Sequence, residues 1–180
     1  ADLLGLNNAQ LATGYIRIDA PLGNVFAYIG YGNTQTSSFA MIPGVDPATA
    51  SRFHVYSHIA EGSGYFTGLT LLNPSARNAD AEVFVMQQDG QTVGRSSFTL
   101  APGSRVGKLF REMLPASLNQ VGGWAYVRST EPLIGAALFG SADGVALASV
   151  PQQSGAQQFN PPQQTVSAIT GAVTQSDGRP

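Results

Sequence analysis

An internal repeat constrains this chain more than any other feature. Gly14-Tyr15-Ile16-Arg17-Ile18 matches Ala125-Tyr126-Val127-Arg128-Ser129, and both are followed by a Pro-Leu pair, Pro21-Leu22 and Pro132-Leu133, 111 positions apart. After one residue of slip, Phe26-Ala27-Tyr28-Ile29-Gly30 matches Ala136-Ala137-Leu138-Phe139-Gly140. After a shorter loop, Phe39-Ala40-Met41-Ile42-Pro43 matches Leu147-Ala148-Ser149-Val150-Pro151. The slips fall in turn-like sequence, where insertions are tolerated. An ordered series of Tyr-x-Arg, Pro-Leu, Gly and Pro anchors is not a chance match.

The partition that follows is uneven. Residues 1–49 read as the second half of a module and residues 50–151 as one complete module. Residues 152–164 (QQSGAQQFNPPQQ) have no periodicity and read as a Gln/Pro-rich linker. Residues 165–180 begin with a new extended segment.

Period-2 alternation dominates. In the complete module it predicts strands over Arg52–Ala60, Tyr65–Asn73, Ala81–Gln88, Thr92–Leu100, Gly123–Ser129, Ile134–Gly140 and Val145–Val150. The half-module adds Ala12–Asp19, Val25–Tyr31 and Ser37–Ile42. Asp89-Gly90 between two such runs predicts a type I′ hairpin, and Asn73-Pro74 and Pro102-Gly103 predict turns. Leu109–Leu114, closed by Pro115, predicts one short helix. The expected fold class is therefore all-β: an immunoglobulin-like β-sandwich module preceded by a homologous half-module and followed by a C-terminal extended strand. Three strands alone bury little and leave edges unpaired. The half-module must find partner strands in upstream sequence, in the neighbouring module or in another copy of the chain.

Composition narrows the setting. Only 11% of residues are charged, against roughly 25% in an average soluble domain. A net charge of −2 with one lysine, Lys108, excludes the basic stripe that nucleic acid requires. No apolar run approaches the length of a membrane span. There is no cysteine, which excludes disulfides, thiolate zinc sites and a cysteine nucleophile. The chain starts at Ala1 without an initiator Met, as expected of a mature, cut or partial chain. Polarity carried by Gly, Ser, Thr, Gln and Asn suggests an extracellular or cell-surface protein of bacterial origin.

Two resemblances rest on particular residues. Phe53, His58-Ile59-Ala60, Gly64-Tyr65, Thr67-Gly68-Leu69, Leu71 and Asn73-Pro74 open a series. Gly123-Trp124, Tyr126-Val127-Arg128, Pro132, Gly135, Leu138-Phe139-Gly140, Leu147-Ala148 and Pro151 continue it. The series resembles uncharacterised β-rich repeat modules of exported proteins of environmental bacteria, over residues 50–151 and, for the second half, 12–43. It implies packing anchors and no catalytic residues. Ile169-x-Gly171-x-Val173-Thr174-x-x-Asp177-Gly178-x-Pro180 is similar to the start of carboxypeptidase-regulatory-like (transthyretin-like) domains. The match stops where such a domain should continue, so the segment is either a piece of a longer protein or a lone strand that joins another subunit's sheet.

Candidate chemistry is sparse. His54 and His58 are the only histidines, and at i and i+4 on a strand they would share a face and form a weak metal pair. Phe53, Val55 and Ile59 then mark the buried face. Calcium at the loop-end acids Asp80, Glu82, Asp89 and Asp143 is the better metal question, and no cofactor is otherwise expected. No strained nucleophile turn occurs, since Gly62-Ser63-Gly64 is a plain glycine-rich turn. Gly30–Asn33 loosely resembles a phosphate loop but sits between strands. Trp124 and Tyr126 alternate on one strand, read as packing before a sugar platform. The recurring Arg17 and Arg128 are expected to pair with acids.

The expected function is non-enzymatic and structural: a subunit of a surface assembly or filament joined by β-strand complementation. Phe159, Val166, Ile169 and Val173 are the expected anchors in a neighbour, which is another copy or an adjacent surface module. The alternative is an adhesion or carbohydrate-binding module cut from a larger surface protein.

Overall fold

A computed structural model describes residues 14–23, 25–33, 35–114 and 119–154. In chain order its strands are β1 (Tyr28–Asn33), β2 (Ser38–Pro43), β3 (Ser51–Tyr56), β4 (Ala60–Glu61), β5 (Tyr65–Leu72), β6 (Ala79–Gln87), β7 (Thr92–Leu100) and β8 (Arg105–Leu109). After the helical turn α1 (Phe110–Met113) come β9 (Gln120–Val121), β10 (Gly123–Ser141), β11 (Leu147–Val150) and β12 (Gln152–Ser154). Every pairing is antiparallel. The chain is an all-β sandwich. No described helix is long and apolar enough to cross a membrane.

The sandwich is organised by β10, 19 residues long and shared by both sheets. Its first half, Gly123–Ser129, lies between β6 and β3, with β7 beyond β6 and β12 beyond β3. Its second half, Ile134–Ser141, lies between β5 and β11, with β8 beyond β5. The change of sheet falls between Arg128 and Leu133, where the ladder with β3 loses register. Pro132 sits in that gap, where no ladder N–H is needed. A strand that switches sheets at a bend makes the corner of an orthogonal β packing.

Alternation then decides the interior. Ala81, Val83 and Val85 of β6, Ala125 and Val127 of β10, and Leu69 and Leu71 of β5 face one core, joined by Tyr56, Phe110, Ala137 and Val150. The opposite face of the first sheet carries a second cluster. Tyr126 lies between Phe53 and Phe84, with ring centroids 6.4 and 6.1 Å away, and Met86 is buried beside them. Arg128 stands 5.0 Å over the Phe84 ring and donates from Nε to Glu82 at 2.6 Å.

Three local devices hold the connections. Asn73 is buried at the end of β5; its Nδ2 donates to the Arg77 and Leu100 carbonyls at 2.7 and 2.9 Å, and its Oδ1 accepts from the Ser75 N–H at 3.0 Å. Glu61 is 1% exposed and accepts from Arg111 Nη1 at 3.1 Å and the Thr67 N–H at 3.2 Å, tying α1 to β4 and β5. The Glu112 carboxylate accepts from the Leu109 N–H at 2.8 Å and starts α1.

Several expectations need correction. The run expected over Arg52–Ala60 is broken: β3 ends at Tyr56 and β4 starts at Ala60. Its inward residues are His54 and Tyr56, so of the face expected to be buried Phe53 and Val55 lie on the outer side, while Ile59, beyond the end of β3, is buried in the core as expected. The two strands expected over 123–129 and 134–140 are one. β8 was not expected. Gly14–Asp19 forms no strand, though Arg17 does pair with Asp19, at 2.8 Å. The Asp89-Gly90 turn is not type I′, because only Gly90 has positive φ, +85°. The Gly90 N–H bonds to the Gln87 carbonyl and the Gln87 N–H to the Gln91 carbonyl, giving a three-residue loop. The type I′ turn is instead Ser63-Gly64, with φ of 51° and 84°. Gln152–Ser154, expected in the linker, are β12, and Gln152 Oε1 accepts from the Gly135 N–H at 2.8 Å.

The corner is tight at one point. The Tyr56 hydroxyl is buried against Gly135 without a hydrogen-bond partner among the described residues, and burial pushes its phenol up. A methyl group on Gly135 would collide with that oxygen. Gly135→Ala should therefore destabilise the fold by roughly 1–3 kcal/mol. Tyr56→Phe should be close to neutral, and adding it to Gly135→Ala should recover most of the loss. Urea unfolding of the double-mutant cycle checks this; simple addition of the two effects would count against the contact.

His54 is also buried, with Nε2 donating to the Ser51 carbonyl at 2.8 Å. Burial holds its pKa below the ordinary 6.5, opposed by contacts with Ser51, Gln152 and Leu133. The unfolded chain thus takes up a proton near pH 6.5 that the folded chain refuses. Stability from this group is full above that pH and falls below it, by at most about 1.4 kcal/mol per pH unit. His54→Gln keeps a donor and cannot titrate. Its urea midpoint should change less than the parent's between about pH 7.5 and 5.5; parallel profiles would refute the assignment.

Candidate assembly edge

Within the expected half-module the described strands, β1 and β2, form a hairpin in register from Tyr28↔Pro43 to Asn33↔Ser38. Among the described residues β1 pairs with β2 alone, so its outer edge presents free N–H and C=O groups. The residues are apolar all the same. Eleven of the fifteen exposed large hydrophobics lie between Tyr15 and Met41. Phe26 is 89% exposed and Tyr28 61%, far from the buried state such side chains favour. Neither YIGYGN of β1 nor SFAMIP of β2 contains a charge. Only Ser38 and Ala40 are buried, and β2 lies against β11.

The register of the hairpin repeats that of β10 and β11. Gly32 pairs with Phe39 as Gly140 pairs with Leu147, and Ile29 with Ile42 as Ala137 with Val150; each equivalent residue is 108 positions on. Tyr28–Pro43 thus matches Ala136–Pro151 without a gap, loop included. The sequence match of Gly30 to Gly140 is corrected to Gly32, with one three-residue insertion between Leu22 and Tyr28. Close contacts agree. A methyl group on Gly32 would meet the Ser38 carbonyl at 3.1 Å, and one on Gly140 the Ala146 carbonyl at 3.0 Å. The Gly44 N–H bonds to Ala27, the counterpart of Gly135, where Gln152 bonds in the module. The two loops touch at equivalent positions, Thr36 Oγ1 donating to the Gly144 carbonyl.

The strands therefore follow one another as β8-β5-β10-β11 and then β2-β1. On one side β10 has β5 as its neighbour; on the other, β1 has no counterpart of β5 among the described residues. In sequence the signal is Tyr31-Gly32 against Phe139-Gly140 with loops of equal length, masked by a second glycine, Gly30, two residues earlier.

The other expected site residues separate. His54 is inside the sandwich, whereas His58 lies beyond the end of β3 with its ring edge-on to Phe139 at 4.9 Å, so the two do not share a strand face. The acids are occupied, and only Asp80 and Glu82, both on β6, are neighbours. Asp80 accepts from Thr99 at 2.7 Å, Glu82 pairs with Arg128, and Asp89 accepts from the Gln91 N–H at 3.0 Å. Asp143 accepts from Ser141 and from the Val145 N–H, and these bonds hold its carboxyl below the usual range. No three of His, Asp and Glu gather among the described residues. Tyr126 is buried, so it does not present a flat face to solvent. Gly30–Asn33 is strand. Phe159, Val166, Ile169 and Val173 lie outside the described residues.

No family model matches the chain, and no curated protein matches it. Among solved structures, the Anabaena sensory rhodopsin transducer is 17% identical, with TM-score 0.42 over 49% of this chain and 95% of its own. A Thermotoga maritima protein, "Thermotoga maritima 1070", is 11% identical, with TM-score 0.48 over 59% of this chain and 96% of its own. Likenesses of this size say nothing about activity or partners.

Proposed function

We propose that this protein is a non-enzymatic structural module of a bacterial extracellular or cell-surface assembly, joined to its neighbours by β-strand addition. The observation that carries the reading is the outer edge of β1, apolar and uncharged, where the equivalent strand β10 has β5 as a neighbour. Natural sheets protect such edges with charge, proline or a covering element; β1 has neither charge nor proline. An added strand satisfies the backbone groups and covers the exposed rings together.

The low charge supports the same reading. Self-repulsion that would keep copies apart is weak at a net charge of −2. The donor is the C-terminal segment, whose Val166, Ile169 and Val173 are the anchors, reached through the Gln/Pro-rich stretch with Phe159 as a further contact. One acceptor edge and one donor segment per chain give head-to-tail contacts, which form an open fibre when the rotation does not close.

Deletion of residues 160–180 tests this. The full chain should form concentration-dependent polymers by size-exclusion chromatography and negative-stain microscopy, and the truncated chain should remain monomeric with an unchanged circular dichroism spectrum. Equal polymer from both chains would refute donation by this segment.

A further inference from the structure

Resting on that reading, we infer where the donated strand goes and in which register: residues 169–174 of a second copy lie antiparallel along the outer edge of β1, with Ile169 opposite Gly32 and Thr170 opposite Tyr31. The register comes from the complete module. There β5 runs along β10 with Phe66 opposite Gly140, Thr67 opposite Phe139 and Gly68 opposite Leu138. A methyl group on Gly140 would collide with the Phe66 ring, so the glycine is what admits a large side chain from β5. Gly32 is the counterpart of Gly140 and likewise lacks a side chain at the edge. Among the described residues, the groups nearest a methyl on Gly32 are the Ser38 carbonyl and the Phe39 ring of β2, at 3.1 and 3.4 Å, and no residue of a further strand lies within 4 Å of it.

The donor sequence carries the same three-residue pattern. Phe66-Thr67-Gly68 of β5 is a large apolar residue, threonine and glycine; Ile169-Thr170-Gly171 repeats that order. Placed on this pattern, Ile169 covers Gly32, Gly171 faces Gly30 and Val173 faces Tyr28, so both anchor residues fall on one face. That face is the one carrying Phe39 and Met41, exposed on β2 at 60% and 46%. Thr165–Ser176 contains no charged residue, as β1 and β2 contain none, so no charge is stripped of water on pairing. The 14 residues after Ser154 span at most roughly 45–50 Å when extended, enough to reach an adjacent copy.

The chain has no cysteine, so single cysteines are clean reporters. Directly opposed strand residues have Cα atoms at disulfide distance. Tyr31→Cys and Thr170→Cys proteins, mixed under mild oxidation, should give a band at twice the chain mass that reducing agent removes and that neither protein gives alone. Circular dichroism of each variant confirms the fold before mixing. If polymers form but this band is absent, the edge of β1 is not the acceptor, although assembly by the C-terminal segment stands. Linkage of Tyr31→Cys to Ile169→Cys or Gly171→Cys in preference to Thr170→Cys overturns the register. A Tyr31→Cys/Thr170→Cys double variant that closes on itself as a monomer overturns the choice of a second copy. An unsubstituted chain that never polymerises refutes the functional reading itself.

Discussion

The bend of β10 is the constraint on which the rest of the structure depends. One strand hydrogen-bonds β3 and β6 with its first half and β5 and β11 with its second. The two sheets cannot shift independently, because both are registered to the same backbone. A bend of this kind strands polar groups at the point where the ladders change partners. The Gly135 N–H is one of them, and the Gln152 side chain satisfies it. The same bend brings Tyr56 against Gly135, so a residue without a Cβ is needed there. Pro151 precedes the point where the chain leaves β11 for β12, so the last two strands change sheets beside the corner of β10.

Among the described residues, the hairpin of β1 and β2 repeats half of that arrangement. β1 and β2 reproduce the ladder of β10 and β11 residue for residue, down to the approach of a carbonyl to the second glycine. Among the described residues they have no counterpart of the neighbour that covers β10. Their side chains include aromatic and aliphatic residues and no charge, and most of the large ones are exposed. The hydrophobic effect favours any strand that removes those rings from water, and the unpaired backbone confines the newcomer to the edge.

Much of the β-character was legible from the chain. Thr92–Leu100 forms the expected strand to the residue, and its burial alternates along its length. Leu109–Leu114 forms its short helix because Phe110 and Leu114 both reach the core and Pro115 follows. β8, with Gly107 and two basic residues in five, has no alternation to read and is a strand because it completes β5's ladder. Gln152–Ser154 looks like linker for the same reason: an edge strand beside β3 needs backbone pairing more than apolar side chains. The histidine pair failed on geometry, since a break after Tyr56 puts His58 off the strand that buries His54.

The sequence by itself determined that this is a β-rich chain, because alternation and turn residues are local properties and survive without tertiary contacts. It also determined that the chain would carry little charge on whatever edges it formed. Only the tertiary structure decided which edge is left unpaired among the described residues. Strand neighbours are set by long-range backbone pairing, and a two-residue error in register moves every glycine to a different partner. The ladders place Gly32 at the position of Gly140, and among the described residues β1 has no counterpart of the neighbour that β5 provides to β10.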